Sequence, residues 1–153
     1  MQSEKRHFLQ QEFLPLLHQL QPDTPAKWGV MNAQQMVEHF TASLKMASGR
    51  LVIPLLTSPE NLPKMRAFML SDRPFKENTK NPSIPEVPAP CRNTNLAEAI
   101  NELEKELHYF FNVFQENPGL TTLNNIFGEL NFDENIHLVH KHARHHLAQF
   151  GLI

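Results

Sequence analysis

Apolar residues near the start of the chain recur at three- and four-residue spacings. They are Phe8, Leu9, Phe13, Leu16, Leu17 and Leu20. Because this spacing places them on one side of an α-helix, we predict a first helix over residues 4–20. Pro15 lies inside this helix and lacks a backbone N–H, so a kink or an early end is expected there.

Three later segments begin with the same polar capping signal and continue with an apolar stripe. The signal is an asparagine followed three residues later by Gln or Glu, a pair that bonds reciprocally to the first backbone N–H groups of a helix. It occurs at Asn32 with Gln35, Asn95 with Glu98, and Asn131 with Glu134. The stripes are Met36, Val37, Phe40, Leu44 and Ala47; Leu96, Ile100, Leu103, Leu107, Phe110 and Phe114; and Ile136, Val139, Ala143, Leu147 and Phe150. We predict helices over residues 33–48, from residue 95 to Pro118, and from residue 131 to Gly151.

A long proline-rich crossover, residues 50–94, separates the second predicted helix from the third. Eight of the twelve prolines lie between positions 54 and 90, and proline disrupts both helices and central strands. A short helix is predicted within "ENLPKMRAFML", and "KENTKNPSIPEVPAP" is predicted to be an extended surface arm. No segment shows a convincing alternating pattern typical of a strand.

These elements predict an all-α fold: a single domain over residues 1–153, built as a four-helix bundle with one long crossover. Short links make sequential helices antiparallel, whereas the crossover permits helices two and three to run parallel. A chain of 153 residues with 41% hydrophobic residues is large enough to build a real core. The apolar stripes would also permit a homodimer face.

Composition and charge exclude two classes of partner. A net charge of -2 provides no large basic face, so no nucleic-acid partner is expected. No apolar run approaches the roughly 20 residues that span a bilayer, so no membrane partner is expected. The single cysteine, Cys91, and the charged N-terminal segment favour a cytoplasmic protein.

Histidines are concentrated in the last predicted helix. They are His137, His140, His142, His145 and His146. Only residues three or four apart share a helix face, so His142 and His146 form a pair that brings two imidazoles to one metal ion. His140 lies on the other flank of the apolar stripe, and His137 and His145 are predicted to point toward solvent. Such a pair also arises by chance in a histidine-rich segment, and His142 with His145 is an alternative pair.

A catalytic site of this kind needs a third protein ligand from a facing helix. His39 is the natural candidate, because it lies beside the apolar residues Met36 and Phe40. The alternative for His39 is a histidine at the edge of the core, satisfied by one hydrogen bond. Glu38 is predicted to point about 100° away from His39 on a solvated face. Trp28 is predicted to be a core aromatic residue that anchors the turn before the second helix; the alternative is a residue that lines a ligand pocket.

The segments "WGVMNAQQMVEHF" (residues 28–40) and "HKHARHHLAQFGLI" (residues 140–153) carry a family resemblance. Together they resemble the DinB/YfiT-like superfamily of metal-dependent enzymes. In particular they are similar to a branch that pairs Trp-Gly-x-Met...Gln-Met-x-x-His with a C-terminal His-His-Leu-x-Gln-Phe-Gly segment. The resemblance implies a four-helix bundle with a long second crossover.

The resemblance also implies a divalent metal, zinc or nickel, held by His39, His142 and His146, with Gln149 three residues after the last ligand. Members that resemble thiol-dependent transferases commonly carry Arg directly after the last ligand, where this chain has Leu147. A thiol cofactor is therefore in doubt. Imidazole ligands suit zinc, nickel, copper and iron alike, so the ligand type by itself does not identify the metal.

Two functions of different classes follow from these residues. The first is a metal-dependent enzyme that acts on a small-molecule substrate by hydrolysis or thiol-dependent transfer, with no second catalytic group assigned. The second is a non-catalytic helical-bundle binding or interaction module without a functional metal, in which the histidines are surface residues or hold a structural ion. We predict that His142→Ala or His146→Ala abolishes tight metal binding, whereas His137→Ala changes little.

Overall fold

A computed structural model describes residues 2–78 and 87–153 and shows a mostly helical chain with a small two-stranded sheet. The first helical segment consists of α1 (Gln2–His7), a π-helical turn (Phe8–Glu12) and α2 (Phe13–Leu17). The π turn ends three residues before Pro15, whose ring and missing N–H disfavour regular α-helical bonding to the preceding turn. The helix ends three residues earlier than predicted, because Gln19 and Leu20 form tighter turns onto Leu16 and Leu17.

The other long helices begin at the asparagine caps that the sequence predicts. They are α3 (Ala33–Ala47), α5 (Leu96–Glu116) and α6 (Phe132–Gln149). The reciprocal capping bonds are complete at α3 and α6, where Gln35 and Glu134 return a bond to the cap backbone. Gly49 follows α3 with φ 82°, a left-handed conformation that glycine adopts without steric cost.

The link between α5 and α6 is not the plain loop that the all-α prediction required. It contains β1 (Thr122–Asn124) and β2 (Gly128–Leu130), which pair antiparallel with Thr122 opposite Leu130. The side chain of Asn124 accepts bonds from the backbone of Ile126 and Phe127 and so closes the turn. Strands of three residues are too short to show an alternating pattern, which is why the prediction missed them.

The order of contacts along paired helices gives their directions. Glu38 on α3 bonds to Asn93 just before α5, and Lys45 near the end of α3 pairs with Glu102 farther along α5. These two helices therefore run parallel, as the long crossover permits. On the opposite side, α1 runs parallel to α6, because Gln2 bonds to Asp133 and Lys5 to His137.

The main core lies between these helical segments and contains the predicted apolar stripes. Its fully buried members include Leu9, Phe13, Leu17, Met36, Phe40, Leu44, Leu103, Phe110, Ala143 and Leu147. A smaller cluster of Met69, Phe127, Leu130 and Leu138 joins the crossover and the hairpin to α6. Both clusters pack on α6, so this helix is held firmly on two sides.

The crossover contains the predicted short helix, α4 (Leu62–Leu70), which packs against α6. Arg66 on α4 binds the hairpin through the carbonyls of Phe127 and Glu129 and forms an ion pair with Glu134. The predicted surface arm falls partly on residues 79–86, which lie outside the described residues. Across the part of the chain that is described, every helix is too short or too polar to cross a membrane.

Candidate metal centre

Three histidine side chains from two helices converge at one point. His39 comes from α3, and His142 and His146 come from successive turns of α6. The Nε2 atom of His142 lies 3.2 Å from Nε2 of His39 and 2.8 Å from Nε2 of His146. One ring nitrogen of each residue lies within 4.8 Å of those of the other two. Zinc bonded tetrahedrally to imidazoles separates their nitrogens by about 3.3 Å, so the spacing fits one ion.

Local packing fixes the positions of these rings. Ala143 and Leu147 directly follow His142 and His146 in sequence. Both are fully buried and orient α6 so that the two histidines face α3. Phe40, the residue after His39, is fully buried, and its ring centroid lies 4.9 Å from that of His142. The core therefore presents all three imidazoles on a rigid surface, which favours a metal site.

Gln149 determines which nitrogen of His146 carries the proton. The Nε2 of Gln149 donates to the backbone carbonyl of Trp28 at 3.0 Å, which turns its Oε1 toward His146. This Oε1 lies 2.7 Å from Nδ1 of His146 and can only accept, so Nδ1 must donate. The Nε2 atom of His146 is left with a free lone pair toward the other two histidines, as a metal ligand requires.

Burial keeps the three imidazoles neutral near pH 7. Desolvation, together with neighbouring histidines, lowers the pKa of His39 to about 4 and that of His146 to about 3, although the bond to Gln149 raises the pKa of His146. The pKa of His142 is lowered well below its ordinary value for the same reasons. Neutral imidazole is the form that binds a metal, so the site is ready to bind one without first losing protons.

The site is partly open on one side. His146 is buried, whereas His39 and His142 are half-buried. Trp28 and Phe75 border this region, with ring centroids 5.5 Å and 5.9 Å from that of His145. The ring of Phe75 also lies 6.3 Å from that of His142. Trp28 is half-buried at the edge of the site, so the prediction of a core aromatic residue was wrong.

The structure distinguishes among the remaining histidines of α6. His145 lies beside His146, with ring centroids 5.1 Å apart, but it is not a member of the converging group. His140 lies on the far flank and packs its ring edge-on against Phe8. His137 was predicted to point toward solvent, which is wrong: it is 9% exposed and contacts Lys5 and the carbonyl of Ser71.

Glu38 is also placed differently from its prediction. It is 7% exposed rather than solvated, and its carboxylate accepts bonds from the backbone N–H groups of Arg92 and Asn93. Burial by itself raises the pKa of this carboxyl. These bonds and those from Gln34 and the Asn93 side chain together lower the pKa by more than burial raises it, so the net pKa is lowered. Glu38 thus holds the end of the crossover near α5 and is not directed at the histidines.

The positions of two residues near the site were not predicted from the sequence. Phe75 lies in the crossover, where no periodic pattern predicts which side chains turn inward. Lys141 lies between His140 and His142 and is 8% exposed, although lysine is rarely buried. Helical spacing places it on the side of α6 opposite the apolar stripe, where a solvent-exposed lysine is expected. Its partners come from the crossover.

Comparisons of the chain with protein-family models, curated proteins and solved structures found no match.

Proposed function

We propose that this chain binds a divalent metal ion through His39, His142 and His146 and uses it to act on a small molecule. The observation that carries the proposal is the convergence of three ring nitrogens with the tautomer of His146 set by Gln149. In this proposal the chain is a four-helix bundle of the DinB/YfiT-like superfamily. The parallel pairs α3 with α5 and α1 with α6 support that arrangement, since a single long crossover produces them.

The donor set supports an open, reactive site rather than a closed structural one. Structural zinc sites have four protein ligands, whereas catalytic sites have three and leave a position for water or substrate. Among the described residues, the converging group contains three histidines and no Cys, Asp or Glu. Two of the three are half-buried, so part of each of these two residues is accessible to solvent.

A divalent ion at this position would supply Lewis acidity toward a water molecule or a thiol. The protein residues would supply the rest: the histidines orient the ion, Gln149 orients His146, and the core excludes water behind the rings. Hydrolysis fits better than thiol-dependent transfer. Leu147, at the position where thiol-dependent members carry Arg, is fully buried and cannot contact a cofactor.

Zinc and nickel both suit three neutral imidazoles, so the metal is proposed only as a divalent ion of this kind. A non-catalytic binding module is the second candidate. It is favoured by one observation: Glu38, the acidic residue nearest in sequence to His39, is fully engaged with the crossover and cannot serve as a general base.

Elemental analysis of the untagged protein, purified without chelator, tests the proposal. We expect about one divalent ion per chain, lost in His39→Ala, His142→Ala and His146→Ala. His108→Ala is the matched control, because this histidine is exposed on α5 and contributes to no cluster of possible ligands. Full occupancy in the three variants, or no uptake by the native protein from excess zinc or nickel, would refute the metal site.

An activity measurement is needed to distinguish the metal-dependent enzyme from the non-catalytic binding module. The metal-loaded protein would be screened with small esters, amides and thiol-acceptor pairs, with His39→Ala as the blank. Metal-dependent turnover of any of them, absent in the blank, would support the enzyme. Tight metal binding with no turnover across the panel would favour the binding module.

A further inference from the structure

A second stripe of α6 runs beside the proposed ligand pair and binds the crossover. It consists of His137, Lys141 and His145, which follow one another at four-residue intervals and so lie along one side of the helix. Each of the three contacts backbone carbonyls within residues 68–75. We call this set the clasp. It connects the helix that carries two of the histidines to the segment that follows α4.

Lys141 is the centre of the clasp. Its Nζ donates to the carbonyls of Phe68 at 3.0 Å, Ser71 at 2.8 Å and Arg73 at 2.5 Å. An ammonium group has three N–H donors, so all of them are satisfied. The ring of Phe68 lies 4.7 Å from Nζ and adds a cation–π contact.

The position of Lys141 at the end of α4 is also electrostatically favourable. The last carbonyls of a helix have no partner within it and carry a partial negative charge, which a cation stabilises. His137 supports the same turn, because its Nδ1 accepts from Lys5 and its Nε2 donates to the carbonyl of Ser71. The clasp therefore satisfies carbonyls at the end of α4 and in the residues that follow it, which form no helix or strand.

The segment held in this way leads directly to Phe75, two residues after Arg73. The backbone of Phe75 accepts a bond from His145, and its ring faces the rings of His142 and His145 edge-on. The Nζ of Lys141 lies 5.9 Å from the centroid of the same ring. The clasp thus places an apolar ring at the half-buried side of the histidine cluster.

We propose that Lys141 is a positioning residue of the metal centre: by holding residues 68–73 against α6, it keeps Phe75 over His142 and limits access to the metal. The inference rests on the proposed function, since access matters only if a metal is bound. Its structural part, the anchoring of the crossover by Lys141, stands independently of the metal. The two parts are therefore tested by separate measurements.

The first measurement is amide hydrogen exchange of the metal-free protein. Lys141→Met keeps most of the apolar part of the side chain but removes its three donors. Residues 68–73 include N–H groups that are bonded within α4, at Ser71 and at Arg73. We expect the exchange of these groups to rise roughly ten- to hundredfold, because the free energy of hydrogen bonds to a charged group corresponds to a ratio of this size. Exchange in α5 should not change. Lys105→Met, on the exposed face of α5, is the control.

The second measurement is the rate at which a zinc-loaded protein transfers its metal to excess chelator. We expect Lys141→Met and Phe75→Ala each to retain one zinc per chain and to release it severalfold faster than the native protein. Because both changes act through the same ring, the double variant should be no faster than Phe75→Ala. Phe75→Ala leaves the clasp intact, so it tests the ring even if Lys141→Met folds poorly.

The outcomes are distinguishable. Unchanged exchange at residues 68–73 in Lys141→Met would overturn the clasp. Raised exchange with unchanged zinc release in Phe75→Ala would overturn the control of access. If the native protein binds no zinc, the proposed function fails, whereas raised exchange in Lys141→Met would still support the anchoring role.

Discussion

Gln149 and His146 lie one helical turn apart, and their contact of 2.7 Å connects the end of α6 to the loop that carries Trp28. Gln149 donates to the Trp28 carbonyl with one end of its amide and accepts from His146 with the other. The orientation of a side chain at the proposed metal centre therefore depends on a backbone carbonyl more than one hundred residues away in sequence. Contacts of this kind tune metal affinity without touching the metal.

Removing the acceptor should weaken the site without unfolding it. We expect Gln149→Leu to lower zinc affinity about 10- to 100-fold, the usual effect of losing an outer partner of a ligand histidine. Gln149→Glu, which keeps an acceptor for His146, should lose less. Competition with a chromogenic chelator measures both. Equal affinity in the native protein and Gln149→Leu would show that Gln149 does not orient His146.

A substitution at Gly29 tests the contact between Gln149 and His146 indirectly. Its φ is 83°, and a Cβ atom there would lie 2.9 Å from Nε2 of Gln149. Gly29→Ala should therefore lower the free energy of unfolding by roughly 1–2 kcal/mol and displace Gln149, with a loss of zinc affinity. Gly119→Ala is the control, since a Cβ there meets nothing within 4 Å. The prediction is wrong if both alanine variants bind zinc like the native protein.

Acid should destabilise the metal-free protein over a defined range. His39 and His146 have folded-state pKa values of about 4 and about 3, against 6.5 for an ordinary histidine. Between pH 6.5 and these values the unfolded chain binds more protons than the folded one, so stability falls as pH falls. We expect the melting temperature to be level above about pH 7 and to decline below it.

His39→Ala provides the check on this pH dependence. It removes one of the groups that must be protonated on unfolding, so its melting temperature should decline less steeply than that of the native protein. Thermal melts monitored by circular dichroism, with chelator present throughout, measure both curves. Parallel curves would mean that His39 is not held neutral by burial.

Glu38 should prove to be structural. Its carboxylate accepts bonds from the backbone of Arg92 and Asn93 in a buried position. We expect Glu38→Ala to lower the free energy of unfolding by about 2–3 kcal/mol, because two backbone donors lose a charged acceptor. Metal content should stay at that of the native protein. Loss of the metal in a folded Glu38→Ala variant would instead place Glu38 in the site.

The positions of the helices and the pairing of His142 with His146 could be predicted from the sequence, because both depend on local rules. A capping asparagine bonds within three residues of itself, and an i, i+4 pair shares a face in any helix. His39 was harder, since its partners come from another helix. His39 was predicted as the third ligand because it lies beside the apolar residue Phe40 and because of the resemblance to a family.

Only the tertiary structure decided the environment of the remaining residues. Glu38, His137 and Lys141 are buried because carbonyls and N–H groups of the crossover reach them, and a proline-rich segment has no periodicity that predicts where its backbone runs. The hairpin was not predicted for a similar reason, since its short strands are stabilised by packing on α6 and α4. The sequence by itself determined where the helices form and which imidazoles share a face; tertiary contacts decided which polar groups are buried beside them, because long-range backbone partners leave no local pattern.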